Sequence, residues 1–380
     1  MKIALFTDTY TPEVNGVAQT LSQLTRYLDA SDHQYIVITP KFAMGRSKHE
    51  PPIYPQSSFP FPLYRDCRLS LPSMRKIRQL LHNFQPDIIH IATPFTIGIT
   101  GLFYAKRFDI PMIASYHTNF DQYLSYYHLS WLSKPIWRYM EWFHQSMEKI
   151  FVPSESTWEE LSQHQFHHLK IWKRGIDQSI FYPNDHKQPI RNKYQIKEKF
   201  VLCYAGRLAP EKNTTILAYL FQNIPTEWQE DIHWLIAGDG PDMPLLKKHA
   251  PPHATFTGFL PHDQLAEVYS VSDLMIFPSE TETFGNVVLE ALACGTPVIG
   301  ANAGGVKHLI QHRLTGILCS KGKPTEYVRA IIELFHHPEW LSQLSDRSVR
   351  YTELLGWQHR CEELLTAYQE VIEKKRLLHA

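Results

Sequence analysis

Two glutamates separated by seven residues, Glu282 and Glu290, lie in the segment Ser279-Glu280-Thr281-Glu282-Thr283-Phe284-Gly285-Asn286-Val287-Val288-Leu289-Glu290-Ala291-Leu292-Ala293-Cys294-Gly295-Thr296-Pro297-Val298. The apolar run Leu274–Phe277 before them reads as a strand, and Pro278 to Thr283 read as a loop. Gly285 then opens a helix that stops near Cys294-Gly295, with Pro297 beyond it as a terminator. A helix opening there leaves the amides of Gly285, Asn286 and Val287 without intrahelical acceptors, and its dipole favours an anion at that end. Carboxylates that accept from hydroxyls, beside amides that donate to a phosphate, form the chemistry of a sugar-nucleotide site. The plainer reading is a capped helix with one surface glutamate.

Other candidates also follow apolar runs. Gly206-Arg207-Leu208-Ala209-Pro210-Glu211-Lys212-Asn213 comes after Phe200–Ala205. There Arg207 and Lys212 can converge on a diphosphate, one as a planar fork and one as a point charge, or stand as two solvated cations. Asp8-Thr9-Tyr10-Thr11-Pro12-Glu13-Val14-Asn15-Gly16 follows the first strand, and Gly16 lies where a helix begins. With no Cβ it lets a phosphate approach exposed amides, though a turn glycine would look the same. Tyr116-His117-Thr118-Asn119-Phe120-Asp121 follows Met112–Ser115. His117 can donate to a sugar hydroxyl there, and Asp121 can accept from one or cap a helix. Ala237-Gly238-Asp239-Gly240-Pro241 reads first as a tight structural turn.

These segments are held by strands that alternate with helical patterns. Lys2–Thr7, Tyr35–Thr39, Asp87–Ile91, Met112–Ser115, Lys149–Val152 and Lys170–Trp172 form a first series of strands. The rhythm weakens over Gly175–Lys193 and restarts with Phe200–Ala205, His233–Ala237, Ala254–Thr257, Leu274–Phe277 and Val298–Gly300. Two tandem α/β domains with parallel sheets follow from this pattern, as 380 residues also suggest. The expected division is 1–178, a linker 179–195, a second domain 196–355 and a closing helix 356–380. Ligands of such sheets bind beyond the carboxyl ends of the strands, so the cleft between two such domains is the expected site.

Composition narrows the class. Lys+Arg and Asp+Glu both total 38, so no overall charge draws the chain to nucleic acid. Five scattered cysteines without metal-ligand spacing suit a reduced, cytoplasmic protein. No apolar run reaches the length of a membrane span. A Gly-x-x-x-x-Gly-Lys-Ser/Thr loop is absent, as is a Gly-x-Gly-x-x-Gly after the first strand, which argues against a P-loop ATPase and a dehydrogenase.

Glu282 and Glu290, taken with Gly206–Asn213, resemble glycosyltransferase family 4, which has the GT-B fold of two Rossmann-like domains facing a cleft. The resemblance runs almost end to end. Asp8 to Val17, Pro86-Asp87-Ile88-Ile89-His90-Ile91-Ala92-Thr93, His117-Thr118-Asn119-Phe120 and Arg174-Gly175-Ile176-Asp177 are similar to a subgroup of bacterial mannosyltransferases and of sulfoquinovosyl- and glucosyl-glycolipid synthases. The resemblance implies retaining transfer of a hexose from a UDP- or GDP-linked sugar, with no obligatory metal or cofactor. Arg207 and Lys212 would neutralise the diphosphate, with Gly16 presenting its amide nearby. Glu290 would hold the ribose. Glu282 would contact the donor sugar beside amides from Phe284 to Val287, and His117 would hydrogen-bond that sugar. Where the family usually carries an acidic residue after the Gly304-Gly305 pair, this chain has Lys307-His308.

The acceptor is expected on the first domain. Phe59–Phe84 interleaves Arg65, Arg68, Arg75, Lys76 and Arg78 with Leu71, Met74, Ile77, Leu80 and Leu81, the pattern of a basic amphipathic helix on an anionic bilayer. Trp131, Trp137 and Trp142 suit the same interface. A core-facing helix with solvated cations is the alternative. The expectation is a cytoplasmic protein peripheral to the membrane, acting on a lipid-linked or glycan hydroxyl. Rival readings are a non-hydrolysing sugar-nucleotide epimerase and a non-catalytic nucleotide-sugar-binding protein.

Overall fold

The computed structural model describes residues 1–13, 15–41, 52–61, 64–117, 130–184 and 186–379. The chain divides into two compact units. Among the described residues, the first takes 1–117, 130–174 and 357–379, and the second takes 175–356.

In the first unit the strands are β1 (Lys2–Phe6), β2 (Gln34–Pro40), β3 (Ile53–Phe61), β4 (Tyr64–Leu71), β5 (Ile88–Ile91), β6 (Met112–Ser115), β7 (Lys149–Val152) and β8 (Leu169–Ile171). They form one sheet in the order β4-β3-β2-β1-β5-β6-β7-β8, parallel throughout except for the antiparallel pair β3 and β4. Its central strands are apolar on both faces because both faces are covered. Ala4 and Phe6 of β1 pack with Ile36, Ile38, Ile89 and Ile91. Ile3 and Leu5 pack on the other side with Val37 and Ile88. The helix Trp357–His379 covers that second face with Cys361, Leu364, Tyr368 and Val371, beside Leu21 and Leu24 of the helix Gly16–Asp29.

The second unit holds β9 (Phe200–Ala205), β10 (Ile232–Ala237), β11 (Ala254–Gly258), β12 (Leu274–Phe277), β13 (Val298–Ala301) and β14 (Gly316–Cys319). Their order is β11-β10-β9-β12-β13-β14, and every pair is parallel. The strand order reverses between β9 and β12, as it does between β1 and β5 in the first unit. Loops leaving neighbouring strands on opposite sides of such a reversal splay apart and open a crevice at the carboxyl edge.

Three local expectations change. The amphipathic helix expected across 59–84 covers only Met74–Phe84, because the residues before it pair as β3 and β4. Pro55 and Pro60 deny amides to a helix and are tolerated in these outer strands. The stretch expected as linker contains the helix Lys187–Lys193. Trp137, expected at an interface, is buried with its ring stacked 3.5 Å from that of His164, while Trp131 and Trp142 are exposed.

Candidate active site

In the second unit, the two segments singled out from the sequence leave the adjacent strands β9 and β12. Tyr204 at the end of β9 donates from its hydroxyl to the Arg207 carbonyl at 2.9 Å, which sets the turn. A short 3-10 turn, Pro210–Lys212, follows. Its far end is tied to the β12 side, where the Asn213 side-chain amide donates to the Pro278 carbonyl at 3.2 Å and the Thr281 hydroxyl to the Glu211 carbonyl at 3.0 Å. The two loops are therefore one braced structure.

That brace brings the charged side chains together. Lys212 Nζ donates to Glu282 Oε1, and the Ser279 hydroxyl donates to the same oxygen at 3.1 Å. Both side chains are partly buried, at 15% and 18% exposure, so the pair is neither fully solvated nor sealed off. Arg207 Nη1 stands 3.9 Å from Glu211 Oε1, whose side chain is buried. The guanidinium beside this buried carboxylate keeps 26% of its side chain exposed.

The helix opens at Asn286, with Gly285 at φ 101° as its N-cap. A side chain there would be strained whatever the space, so glycine suits this entry. The pair Gly304-Gly305 closes over the loop. The Gly305 amide donates to the Glu282 carbonyl at 2.6 Å, and a Cβ on Gly305 would fall 2.6 Å from Phe284 Cα. These glycines fix the path of the backbone that carries Glu282. The sequence signal for them is the glycine pair itself, which follows the end of β13. Phe284 is buried in the unit's core, and Val287 packs against that core.

Glu290 lies in the second turn of a helix whose residues from Val288 to Ala293 are all buried. Tyr269 donates to Glu290 Oε2 at 3.2 Å. Burial pushes the Glu290 carboxyl up to about 7, against which the Tyr269 bond acts only in part. Its apolar neighbours explain the direction, since desolvation disfavours the charged form.

The first unit positions Gly16 and His117. Gly16 is exposed at the start of its helix. Asn15 Oδ1 caps that helix by accepting from the Val17 amide at 3.1 Å and the Ala18 amide at 2.9 Å, so the Gly16 amide lies outside this cap. Asn15 is held in turn by its bond to the Thr9 hydroxyl at 2.7 Å. Asp8, buried at the end of β1, accepts from the Ile97 amide at 2.9 Å and from the Thr93 hydroxyl at 2.8 Å. It anchors the start of the helix Thr96–Phe108, and burial raises its pKa. His117 follows β6 and meets Arg174, two residues beyond the Trp172 that follows β8. Asp121 lies outside the described residues. Among those residues, no cluster of three or more His, Cys, Asp or Glu has the arrangement of a metal site.

The family model for Glycosyltransferase Family 4 matches residues 14–179, and that for Glycosyl transferases group 1 matches 186–351. A GDP-mannose-dependent alpha-mannosyltransferase of Mycobacterium tuberculosis is 31% identical, over 98% of this chain and 97% of that one. The chain belongs to glycosyltransferase family 4. A sulfoquinovosyl transferase of Arabidopsis thaliana is 30% identical over 91% of this chain and 68% of its own. Among solved structures, a sucrose-phosphate synthase from Thermosynechococcus elongatus superposes with a TM-score of 0.82 at 19% identity, covering 98% of this chain and 100% of that one. That likeness concerns the fold, which is the GT-B fold of this glycosyltransferase family.

Proposed function

We propose that this glycosyltransferase moves a hexose from a UDP- or GDP-linked sugar to a hydroxyl of a lipid-linked or glycan acceptor, with retention at the transferred carbon. The observation that carries the reading is the convergence of Arg207, Lys212, Glu282 and the helix opening at Asn286 on one edge of the second sheet. Arg207 and Lys212 supply the charge that a departing diphosphate needs, and the helix start adds dipole and amides. Lys212 and Ser279 both donate to Oε1 of Glu282, so Oε2 is the oxygen assigned to a sugar hydroxyl. Glu290 is assigned to the ribose. Gly16 and His117 carry roles toward the diphosphate and the donor sugar that follow from the family likeness. With no carboxylate assigned as nucleophile, we assign retention to attack from the face the leaving phosphate occupies, with that phosphate assisting deprotonation of the acceptor.

The named relatives concern different sugars, a mannosyl and a sulfoquinovosyl group, so the donor is the first thing to measure. A thermal-shift panel of UDP, GDP, UDP-glucose and GDP-mannose reads it directly, because a ligand at 100 times its Kd stabilises by about 2.7 kcal/mol. Proton NMR of the product then gives its anomeric configuration. No shift with any of the four, or an inverted product, overturns the reading. An epimerised donor formed without acceptor indicates the rival chemistry.

The acceptor side is read as a surface that meets an anionic bilayer. Arg75, Lys76 and Arg78 are exposed on the helix Met74–Phe84, and Leu71 and Met74 are exposed at its entry. Basic residues beside exposed apolar ones fit adsorption to anionic headgroups. No described helix is long and apolar enough to cross a membrane. Flotation with vesicles of anionic phospholipid at low salt should carry the protein upward, and vesicles of neutral lipid should not. Equal behaviour with both removes the membrane from the proposal.

A further inference from the structure

Arg174 Nη2 and His117 Nδ1 are hydrogen-bonded to each other. A guanidinium has donors only, so the direction of this bond is fixed by chemistry: Arg174 donates and His117 Nδ1 accepts. An Nδ1 that accepts carries no proton. The imidazole is therefore neutral, and its one proton is on Nε2. Burial depresses the imidazole's pKa well below its ordinary range, with Arg174 and then His90 acting in the same direction.

The guanidinium is placed as if for this contact. Its residue is 5% exposed, and Cζ lies 4.9 Å from the ring of Trp172. Trp172 is itself fixed, donating from Nε1 to the Arg360 carbonyl at 2.7 Å. Among the described residues, Arg174 makes no ion pair with a carboxylate, and its Nη1 has no hydrogen-bond acceptor. Burial lowers its pKa to about 9, which leaves it cationic at neutral pH. A cation buried for stability alone is expected to be paired, because desolvating an uncompensated charge is costly. The His117 ring is the partner that this cation has been given.

We propose that Arg174 is a positioning residue that holds His117 as the neutral Nε2–H tautomer, so that the ring offers a hydrogen-bond donor, and not a base, to the sugar being transferred. This rests on the reading that His117 contacts the donor sugar. The chemistry favours such a group. Cleaving a glycosidic bond develops positive charge on the sugar, and an imidazolium there would oppose it. A neutral imidazole donor orients the sugar without adding that charge, a use for which enzymes keep histidines neutral.

The test uses the full chain with [15N]histidine and long-range proton–nitrogen correlation at pH 7, with His117 assigned by its loss in His117→Ala. The expected pattern is an unprotonated Nδ1 and a protonated Nε2. In Arg174→Met this pattern should give way to a mixture of tautomers. Turnover of GDP-mannose and UDP-glucose should fall by about 10²-fold, the loss that misplacing a positioned group by about 1 Å can cause, with KM little changed. Arg174→Lys keeps a donor-only cation on a side chain of nearly the same length and should restore the tautomer and part of the turnover. A protonated Nδ1 in the wild-type protein overturns the proposal, as does an unchanged tautomer in Arg174→Met. A folded Arg174→Lys no better than Arg174→Met also overturns it. Should Arg174→Met fail to fold, the wild-type spectrum and Arg174→Lys still decide. Full turnover in His117→Ala instead overturns the sugar-contact reading, while the spectrum decides the tautomer separately.

Discussion

Lys212 donates through Nζ to Oε1 of Glu282, across 70 residues of sequence and between loops that leave adjacent strands. Cation and anion are engaged with each other. In the proposed reaction the ammonium serves the diphosphate and the carboxylate serves the sugar, so their contact couples the two halves of one substrate. A double-mutant cycle of Lys212→Ala and Glu282→Gln on donor affinity should give a coupling energy of about 0.5–3 kcal/mol. Additive effects would mean that the two residues act separately.

Arg207→Ala and Lys212→Ala should each lower turnover by about 10²–10³, the usual loss for one well-placed group facing developing charge. Neither side chain belongs to the apolar core of the second unit, so circular dichroism and cooperative unfolding should be retained. Near-wild-type turnover in both variants would sink the assignment of this edge.

Glu290 supplies a pH signature. Its folded pKa, about 7, lies above the ordinary unfolded value of about 4.3. The fold thus favours the neutral acid. That stabilisation is full below the unfolded pKa, declines as pH rises between the two values, and is gone above pH 7. Its size is on the order of 3 kcal/mol. Glu290→Gln should remove this component, so the wild-type minus variant difference in unfolding free energy should slope downward from pH 4.5 to 7.5. A flat difference would show that the carboxyl ionises normally.

Gly285→Ala places a side chain at φ 101° directly before the helix Asn286–Ala293. It should lose about 1–3 kcal/mol of stability and weaken donor binding more than Gly322→Ala. Gly322 also has a positive φ, with open space around its Cβ direction, and it follows the edge strand β14. Equal losses of binding in the two variants would reduce the Gly285 effect to general strain.

Much of this was legible in the sequence. The runs at β1, β9, β10 and β12 are short, apolar and bounded by Gly, Pro or Asp, which leaves few alternatives to a buried parallel strand. The pair β3 and β4 is hidden because its prolines, with Arg65 and Arg68 three residues apart, suit several local structures, and only the pairing of β3 with β2 and β4 selects extended chain. β14 was missed because Gly316–Cys319 is too short to stand out. Arg207, Lys212, Glu282 and His117 were visible as residue types after strand ends. Their partners were not, since Lys212 with Glu282 and His117 with Arg174 are tertiary contacts that no local pattern encodes. In the sequence Arg174 stands only as part of the segment Arg174-Gly175-Ile176-Asp177. Glu290 looked like an exposed acceptor until its helix proved buried on every side.

The helix Trp357–His379 covers the face of β1 that carries Ile3 and Leu5, yet the whole of Gly175–Gly356 separates it from the rest of its unit. During synthesis the ribosome must therefore complete the second unit before that face has its cover. The nascent first unit waits with only the helix Gly16–Asp29 over Ile3, Leu5, Val37 and Ile88, and the rest of that face open to water or to a chaperone. Its last apolar layer closes only when Cys361, Leu364 and Tyr368 emerge.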